Sequence, residues 1–342
     1  MSRPGVALDV LYACRDNYAM TLGVSVESLC ANNQAIDRLT VFVLDDEIGQ
    51  PNQDRLRAVG AKYGRDVVFI DTAGFKARLI ELGVEPHKGT YTTYFKLLAV
   101  NTLPAGADRV LYLDCDTIIV GSLARLGELA LDQAACSATY DCLLNDYKTM
   151  IGLAPNDHYY NCGVILIDRA EWRRQGYEER VLNHLTAVRQ RYHIVDQDIM
   201  NVLFHDQFHY LDLRYDINPS FEIYGVENTL KLYRLSPPAY NSAAEVKAEL
   251  AQPVVYHCMG AMTGRPWEKG NAHPWNDLFD HYKALTPWAA TPKSTPRLSA
   301  LFRIQRALYK ALPRSLYLPI HRAVQHLWLS RNDAGTRLAD AE

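Results

Sequence analysis

The sequence predicts an α/β protein, a mainly parallel sheet flanked by helices, followed by a basic, amphipathic helical tail. Three observations lead there. Short apolar, β-branched runs alternate with stretches of helical period through residues 1–285. A Pro-, Thr- and Ala-rich stretch at 286–297 breaks that alternation. Residues 298–342 then form a tail whose basic and apolar residues recur at helical spacing.

The expected strands are Asp9–Cys14, Leu39–Leu44, Val67–Ile70, Val110–Leu113 and Val164–Ile167. Helical patterns separate them at Tyr18–Ala31, Asn52–Tyr63, Thr92–Asn101 and Arg169–Gln190. Such alternation makes β-α-β units, which give a parallel sheet with helices on both faces. Ligands of such sheets gather where the strands end. The reading divides the chain into a catalytic domain (1–285), a linker (286–297) and the tail.

With 342 residues, 48% hydrophobic and 22% charged, the chain buries a large core. Its first apolar run, Val6 to Cys14, is interrupted by Asp9, so no secretion leader is read. No apolar run reaches the roughly 18 residues of a membrane-spanning helix. The 7 cysteines are scattered without a Cys-x-x-Cys pair, which predicts reduced thiols in a cytoplasm. The net charge is -3, yet Thr291 to Asn332 holds Lys293, Arg297, Arg303, Arg306, Lys310, Arg314, Arg322 and Arg331 without one acid. The main body is not basic and the tail has no base-reading motif, so nucleic acid is not an expected partner. The tail is instead expected on an anionic membrane surface, with Leu301, Phe302, Leu308, Leu316, Tyr317 and Trp328 entering the interface. Pro313 and Pro319 are expected to interrupt its helix. A helix packed against the catalytic domain is the alternative.

Two constellations carry chemistry. In Arg109-Val110-Leu111-Tyr112-Leu113-Asp114-Cys115-Asp116, strand alternation would send both carboxylates to one side as the strand ends. Paired hard oxygen donors suit Mg²⁺ or Mn²⁺. About two Asp-x-Asp pairs occur by chance in a chain this rich in aspartate, so context must support the reading. A second short strand, Pro253–His257, ends in an imidazole that would favour Mn²⁺, although a hydrogen-bonded structural histidine is the ordinary alternative. The other constellation is Asp196-Gln197-Asp198 before the helical Ile199–Phe204, where Asp196 is equally suited to helix capping.

Together with Ala13-Cys14-Arg15-Asp16-Asn17-Tyr18, Thr92-Thr93-Tyr94-Phe95-Lys96, Tyr160-Asn161-Cys162-Gly163-Val164 and His257-Cys258-Met259-Gly260 through Arg265-Pro266-Trp267, these segments resemble glycosyltransferase family 8. The resemblance covers about residues 8 to 285 and leaves only the basic tail outside. It implies a GT-A fold with a Rossmann-like sheet, and transfer of a hexose, galactose or glucose, from a UDP-sugar with retention of configuration. The implied acceptor is a saccharide or lipid-linked glycan of lipopolysaccharide or another surface glycan. Mn²⁺ or Mg²⁺ on Asp114, Asp116 and His257 would bridge the diphosphate. Gln197 and Asp196 are implied at the reacting carbon, and donor contacts at Ala13, Arg15, Asp16, Asn17, Lys96, Cys115, Asp141, Asn161, Cys162, Gly260 and Arg265.

Three departures stand out. Lys96 stands where bacterial galactosyltransferases carry Arg, and offers a point charge in place of a bidentate fork. Arg15 replaces an acid of some bacterial relatives and has no acceptor for uracil, a role left to backbone at Ala13 and Arg15 or to Asp16. The stretch between Gly260 and Arg265 is expanded. An amide at Gln197 is a poor nucleophile, which favours front-face attack over a double displacement. A metal-dependent phosphohydrolase and a catalytically silent UDP-sugar binder are the rival readings.

Overall fold

Strand β1, Ala7–Arg15, carries a nearly unbroken apolar run because both its faces are covered, and Leu8, Val10, Leu11 and Tyr12 are fully buried. In the computed structural model it pairs in parallel with β2 (Arg38–Asp46) and β4 (Arg109–Leu113), and β2 pairs in parallel with β3 (Asp66–Asp71). β7 (Val164–Asp168) runs antiparallel to β4, and β6 (Cys136–Ala138) joins β7 to β8 (His209–Tyr210). The sheet order is β3-β2-β1-β4-β7-β6-β8. Every strand expected along residues 9–167 forms, each extended by one to three residues. The structure describes residues 5–187, 192–260, 262–296 and 298–333, without the side chains of 328–333. The Gln190 end of one expected helix, Arg297, and the side chains of Trp328 and Arg331 lie outside the described residues.

A second, two-stranded sheet sets the site. β5 (Thr117–Ile119) runs antiparallel to β9 (Val255–His257), with Thr117 opposite His257. The helix Ala19–Asn32 underlies β5 and is buried along most of its length, hydroxyls included. Ser25 Oγ lies 3.0 Å from both the Tyr12 and Thr117 hydroxyls, and Ser28 Oγ accepts the Ile119 N–H at 3.0 Å. Left unpaired, each such group would cost about 1–3 kcal/mol, so the helix pins β5 beside β1.

The expected helix at Arg169–Gln190 divides into Arg169–Arg174 and Tyr177–Ala187, because Gly176 adopts φ 66° between them. The stretch read as a linker is packed: Trp288 is 3% exposed and rests where a Cβ on Gly23 would come within 2.4 Å of its ring. The tail forms helices Ala300–Ala311 and Arg314–Asp333, parted at Pro313. Pro319, expected as a second break, lies inside the latter helix, in its second turn, where it removes the hydrogen bond to the Ser315 carbonyl while the helix continues. Phe302, Leu308, Tyr309, Leu312 and the buried Tyr317 pack against Tyr224, Leu232 and Met262 of the main body. Leu301 and Leu316 are exposed. Of the expected interfacial residues, Phe302, Leu308 and Tyr317 are therefore contacts with the main body in this packing. Among the described residues no helix is long and apolar enough to cross a membrane.

Candidate active site

Asp114-Cys115-Asp116 is a turn between β4 and β5, not the end of an alternating strand. The Thr117 N–H closes it on the Asp114 carbonyl at 3.2 Å, and the Cys115 thiol points back to the Ala13 carbonyl at 3.2 Å. Both carboxylates nevertheless converge, because β9 delivers His257 between them and the Cys258 N–H binds the Asp116 carbonyl at 2.7 Å. His257 Nε2 lies 3.3 Å from Asp116 Oδ1 and 3.7 Å from Asp114 Oδ2. One ligand atom from each of the three residues falls within 4.8 Å of the others, a spacing that one divalent ion can bridge with small side-chain adjustments.

Asp114 and His257 are each aimed by a partner behind them. Asp114 Oδ1 accepts the Tyr112 hydroxyl at 2.6 Å, which leaves Oδ2 facing His257. His257 Nδ1 sits 3.0 Å from buried Asp216, the arrangement that sets a ligating imidazole's tautomer and basicity. Asp216 is itself placed by Ile217, whose N–H binds the Val255 carbonyl and whose carbonyl accepts the His257 N–H. Gly163 makes room for the ring: a Cβ there would lie 2.1 Å from His257 Cε1.

The electrostatics favour a cation at this point. Burial disfavours the imidazolium, yet Asp216 and Asp116 outweigh it and hold the His257 pKa well above the ordinary histidine value. Burial also opposes ionisation of Asp116, but His257 and then Arg265 outweigh it and its pKa is lowered. A proton or a divalent ion satisfies the same demand.

Beside the triad lies a polar network. Gln197 Nε2 donates to Asp141 Oδ2 at 2.8 Å, and its Oε1 accepts the Cys162 N–H at 3.0 Å. Only one amide orientation serves both partners, so both ends of Gln197 are engaged. Asn161 donates to Asp141 Oδ1 at 3.1 Å and accepts the Gly163 N–H at 2.7 Å. Asp196 does not cap its helix, Val195–Phe204: its oxygens take the Thr93 hydroxyl and the Lys96 ammonium, each at 2.5 Å. Lys96 is buried, donates to the Cys162 carbonyl at 2.7 Å and lies 3.5 Å from Asp114. Burial alone would lower its pKa; Asp114 and Asp196 reverse that and raise it. Lys96 thus links the carboxylate pair to the Asp196–Gln197 helix from behind. Asp198, buried beneath, accepts the Tyr147 and Tyr159 hydroxyls at 2.5 Å and the Ile194 N–H at 2.8 Å.

At the β1 end, Asn17 is exposed, whereas Asp16 is occupied by the Gly49 N–H and the Asn52 amide at 2.9 and 2.8 Å. Arg15 leans toward Asp46 at 3.4 Å. Arg265 meets the Tyr18 hydroxyl at 2.7 Å and lies over Trp267, its guanidinium against Gly260. The structure therefore gathers Asp114, Asp116 and His257 at one point, Asp141, Asn161, Asp196 and Gln197 in one network, and Arg265 near Asp116. Sequence reasoning missed Asp216, Tyr112 and Thr93 as supports. Gly163 lay within a quoted motif, but its purpose did not show.

Comparison with known proteins identifies the family and the fold. The family model described as Glycosyl transferase family 8 matches residues 9–271. General stress protein A of Bacillus subtilis (strain 168) is 23% identical over 284 residues, 82% of this chain and 94% of its own. Lipopolysaccharide 1,3-galactosyltransferase of Salmonella typhimurium is 26% identical over 290 residues, 82% of this chain and 79% of its own. Among solved structures, galactosyltransferase LgtC, in complex with donor and acceptor sugar analogs, matches with TM-score 0.64 at 24% identity, over 86% of this chain and 99% of that one. The bifunctional glycosyltransferase WbbM matches with TM-score 0.67 at 20% identity over 85% of this chain; the match spans 51% of WbbM. With a family match over most of its length and the same α/β architecture, the chain belongs to glycosyltransferase family 8 and carries the GT-A fold.

Proposed function

We propose that this glycosyltransferase moves a hexose, galactose or glucose, from a UDP-sugar to a saccharide acceptor with retention of configuration, in the synthesis of lipopolysaccharide or another surface glycan. The observation that carries the proposal is the Asp114–Asp116–His257 cluster opening beside the Asp141–Asn161–Gln197 network. The lipopolysaccharide galactosyltransferase among its relatives supports the choice of acceptor.

The roles follow from the side chains. Asp114, Asp116 and His257 would hold Mn²⁺ or Mg²⁺, which when bound offsets charge on the departing diphosphate. Arg265 adds a fixed positive charge beside Asp116. Asp141, Asn161 and Asp196 present carboxylate and amide groups suited to paired sugar hydroxyls. Gln197, with its carbonyl oxygen bonded to the Cys162 N–H, orients the reacting carbon and is not a free nucleophile. In front-face attack the acceptor oxygen bonds to the anomeric carbon as the carbon–phosphate oxygen bond breaks. The acceptor's proton passes to the leaving phosphate oxygen.

The test is UDP release from a panel of UDP-hexoses, with Mn²⁺ and with chelator. Release from one donor, abolished by chelator, is expected; tight donor binding without release in the presence of acceptors would instead identify a silent binder. The exposed Leu301, Ile304, Leu316 and Ile320, set among Arg303 and Lys310, support a second part of the reading, a tail resting on the inner face of the cell membrane. Co-sedimentation with anionic but not neutral vesicles is expected, and L301D/L316D should abolish it; vesicle binding unaffected by that pair would refute the assignment.

A further inference from the structure

An arginine in a basic tail is ordinarily solvated, yet Arg306 is 9% exposed. Its Nη2 donates to the Thr263 carbonyl at 3.1 Å and the Gly270 carbonyl at 2.9 Å. Those two carbonyls stand on either side of the loop that carries Arg265. The loop is closed on itself by the Ala272 N–H to the Thr263 carbonyl at 2.8 Å. Inside it the Asn271 amide reaches the Pro266 and Glu268 carbonyls, and the Arg265 N–H meets Glu268 Oε2 at 3.1 Å. Gly264 turns the chain at φ 83°, and a Cβ there would stand 3.2 Å from Arg306 Nη2. Arg306 is therefore lodged in the neck of the loop, and Arg265 projects from it toward Tyr18.

We propose that Arg306 is a positioning residue for the donor: by tying the two sides of the neck it holds Arg265 where the diphosphate of the UDP-sugar is met, which makes the tail part of the donor site. This rests on the reading of Arg265 as a diphosphate contact. The tail helix has a separate hold on the body through Phe302, Tyr309, Leu312 and Tyr317. Loss of the guanidinium alone thus removes the tie without undocking the helix.

The experiment measures UDP affinity in Mn²⁺ by calorimetry, and donor KM and kcat, for full-length wild type, R306M, R265A and the double variant. R306M keeps the apolar stem and loses the donors. Its UDP affinity is expected to fall about tenfold, the scale of a hydrogen bond to a charged group, with donor KM rising in step and kcat nearly unchanged. In the R265A background the same substitution should change UDP affinity less than about twofold, because a positioning residue has nothing left to position. Equal losses in both backgrounds, or wild-type affinity in R306M, would overturn the proposal. Should R306M not fold, R306K serves: intermediate affinity supports the tie and wild-type affinity refutes it. Wild-type protein that binds no UDP with Mn²⁺ would refute the donor reading and this inference with it, whereas wild-type binding with an unaffected R306M refutes this inference alone.

Discussion

Asp116→Asn is expected to lower Mn²⁺-dependent UDP release by at least about 10³-fold, the several kcal/mol that a metal contributes to charge stabilisation at a leaving group. The substitution keeps size and shape but removes the negative charge that faces His257 Nε2 at 3.3 Å. The turn should survive, since its backbone is held independently by the Cys258 N–H on the Asp116 carbonyl and the Thr117 N–H on the Asp114 carbonyl. Fold and function can therefore be separated. A ligand that binds only the folded state raises the melting temperature, and the gain grows with the logarithm of its concentration over Kd. Wild type should gain stability from Mn²⁺ with UDP, and D116N should melt normally alone yet gain little from the pair. Mn²⁺-dependent release within tenfold of wild type in D116N would place the metal elsewhere.

A single methyl group should have the next largest effect. Gly163→Ala puts a Cβ 2.1 Å from His257 Cε1 and 2.7 Å from its Nδ1, far inside van der Waals contact. The ring has little freedom to yield, because Asp216 holds Nδ1 at 3.0 Å and β9 is paired with β5 through Thr117. Either the ring swings away from Asp114 and Asp116 or the β4–β7 connection shifts. The expected result is a loss of Mn²⁺ affinity of about 100-fold, the upper range for disturbing the support of a metal ligand. Overpacking should cost about 1–3 kcal/mol of stability besides. Titration of Mn²⁺ against G163A, H257A and the double variant decides the cause. If the methyl acts through the imidazole, the double variant binds no more weakly than H257A alone; additive losses would mean that Gly163 serves the metal by another route.

These two positions differ in how far the sequence disclosed them. Asp114-Cys115-Asp116 was visible as a metal motif, although its geometry comes from a turn. His257 was visible as a candidate ligand at the end of a short strand. Gly163 stood in plain view within Asn161-Cys162-Gly163, but a close approach to a ring from a strand far along the chain leaves no local mark. Asp216 left none either: it lies 41 residues from His257, and only the Ile217 bridge to β9 brings them together. Lys96 was read as a donor contact, and the fold shows it buried between Asp114 and Asp196.

The α/β architecture, the positions of β1, β2, β3, β4 and β7, the identity of the residues that cluster at Asp114, Asp116 and His257, and the basic tail were determined by the sequence alone, whereas the short β6 and β8 were not. Burial on both faces of a strand and on one face of a helix writes a period into neighbouring residues, so such elements can be read locally. Tertiary structure decided which polar groups meet. It turned Trp288 of a supposed linker into core, gave Gln197 partners at both ends, set Asp216 behind His257 and carried Arg306 from a solvated-looking tail into the neck of the Arg265 loop. The physical reason is one of range: a hydrogen bond or ion pair is specific to a few tenths of an ångström, and its partners are brought within reach by segments that have no pattern in common.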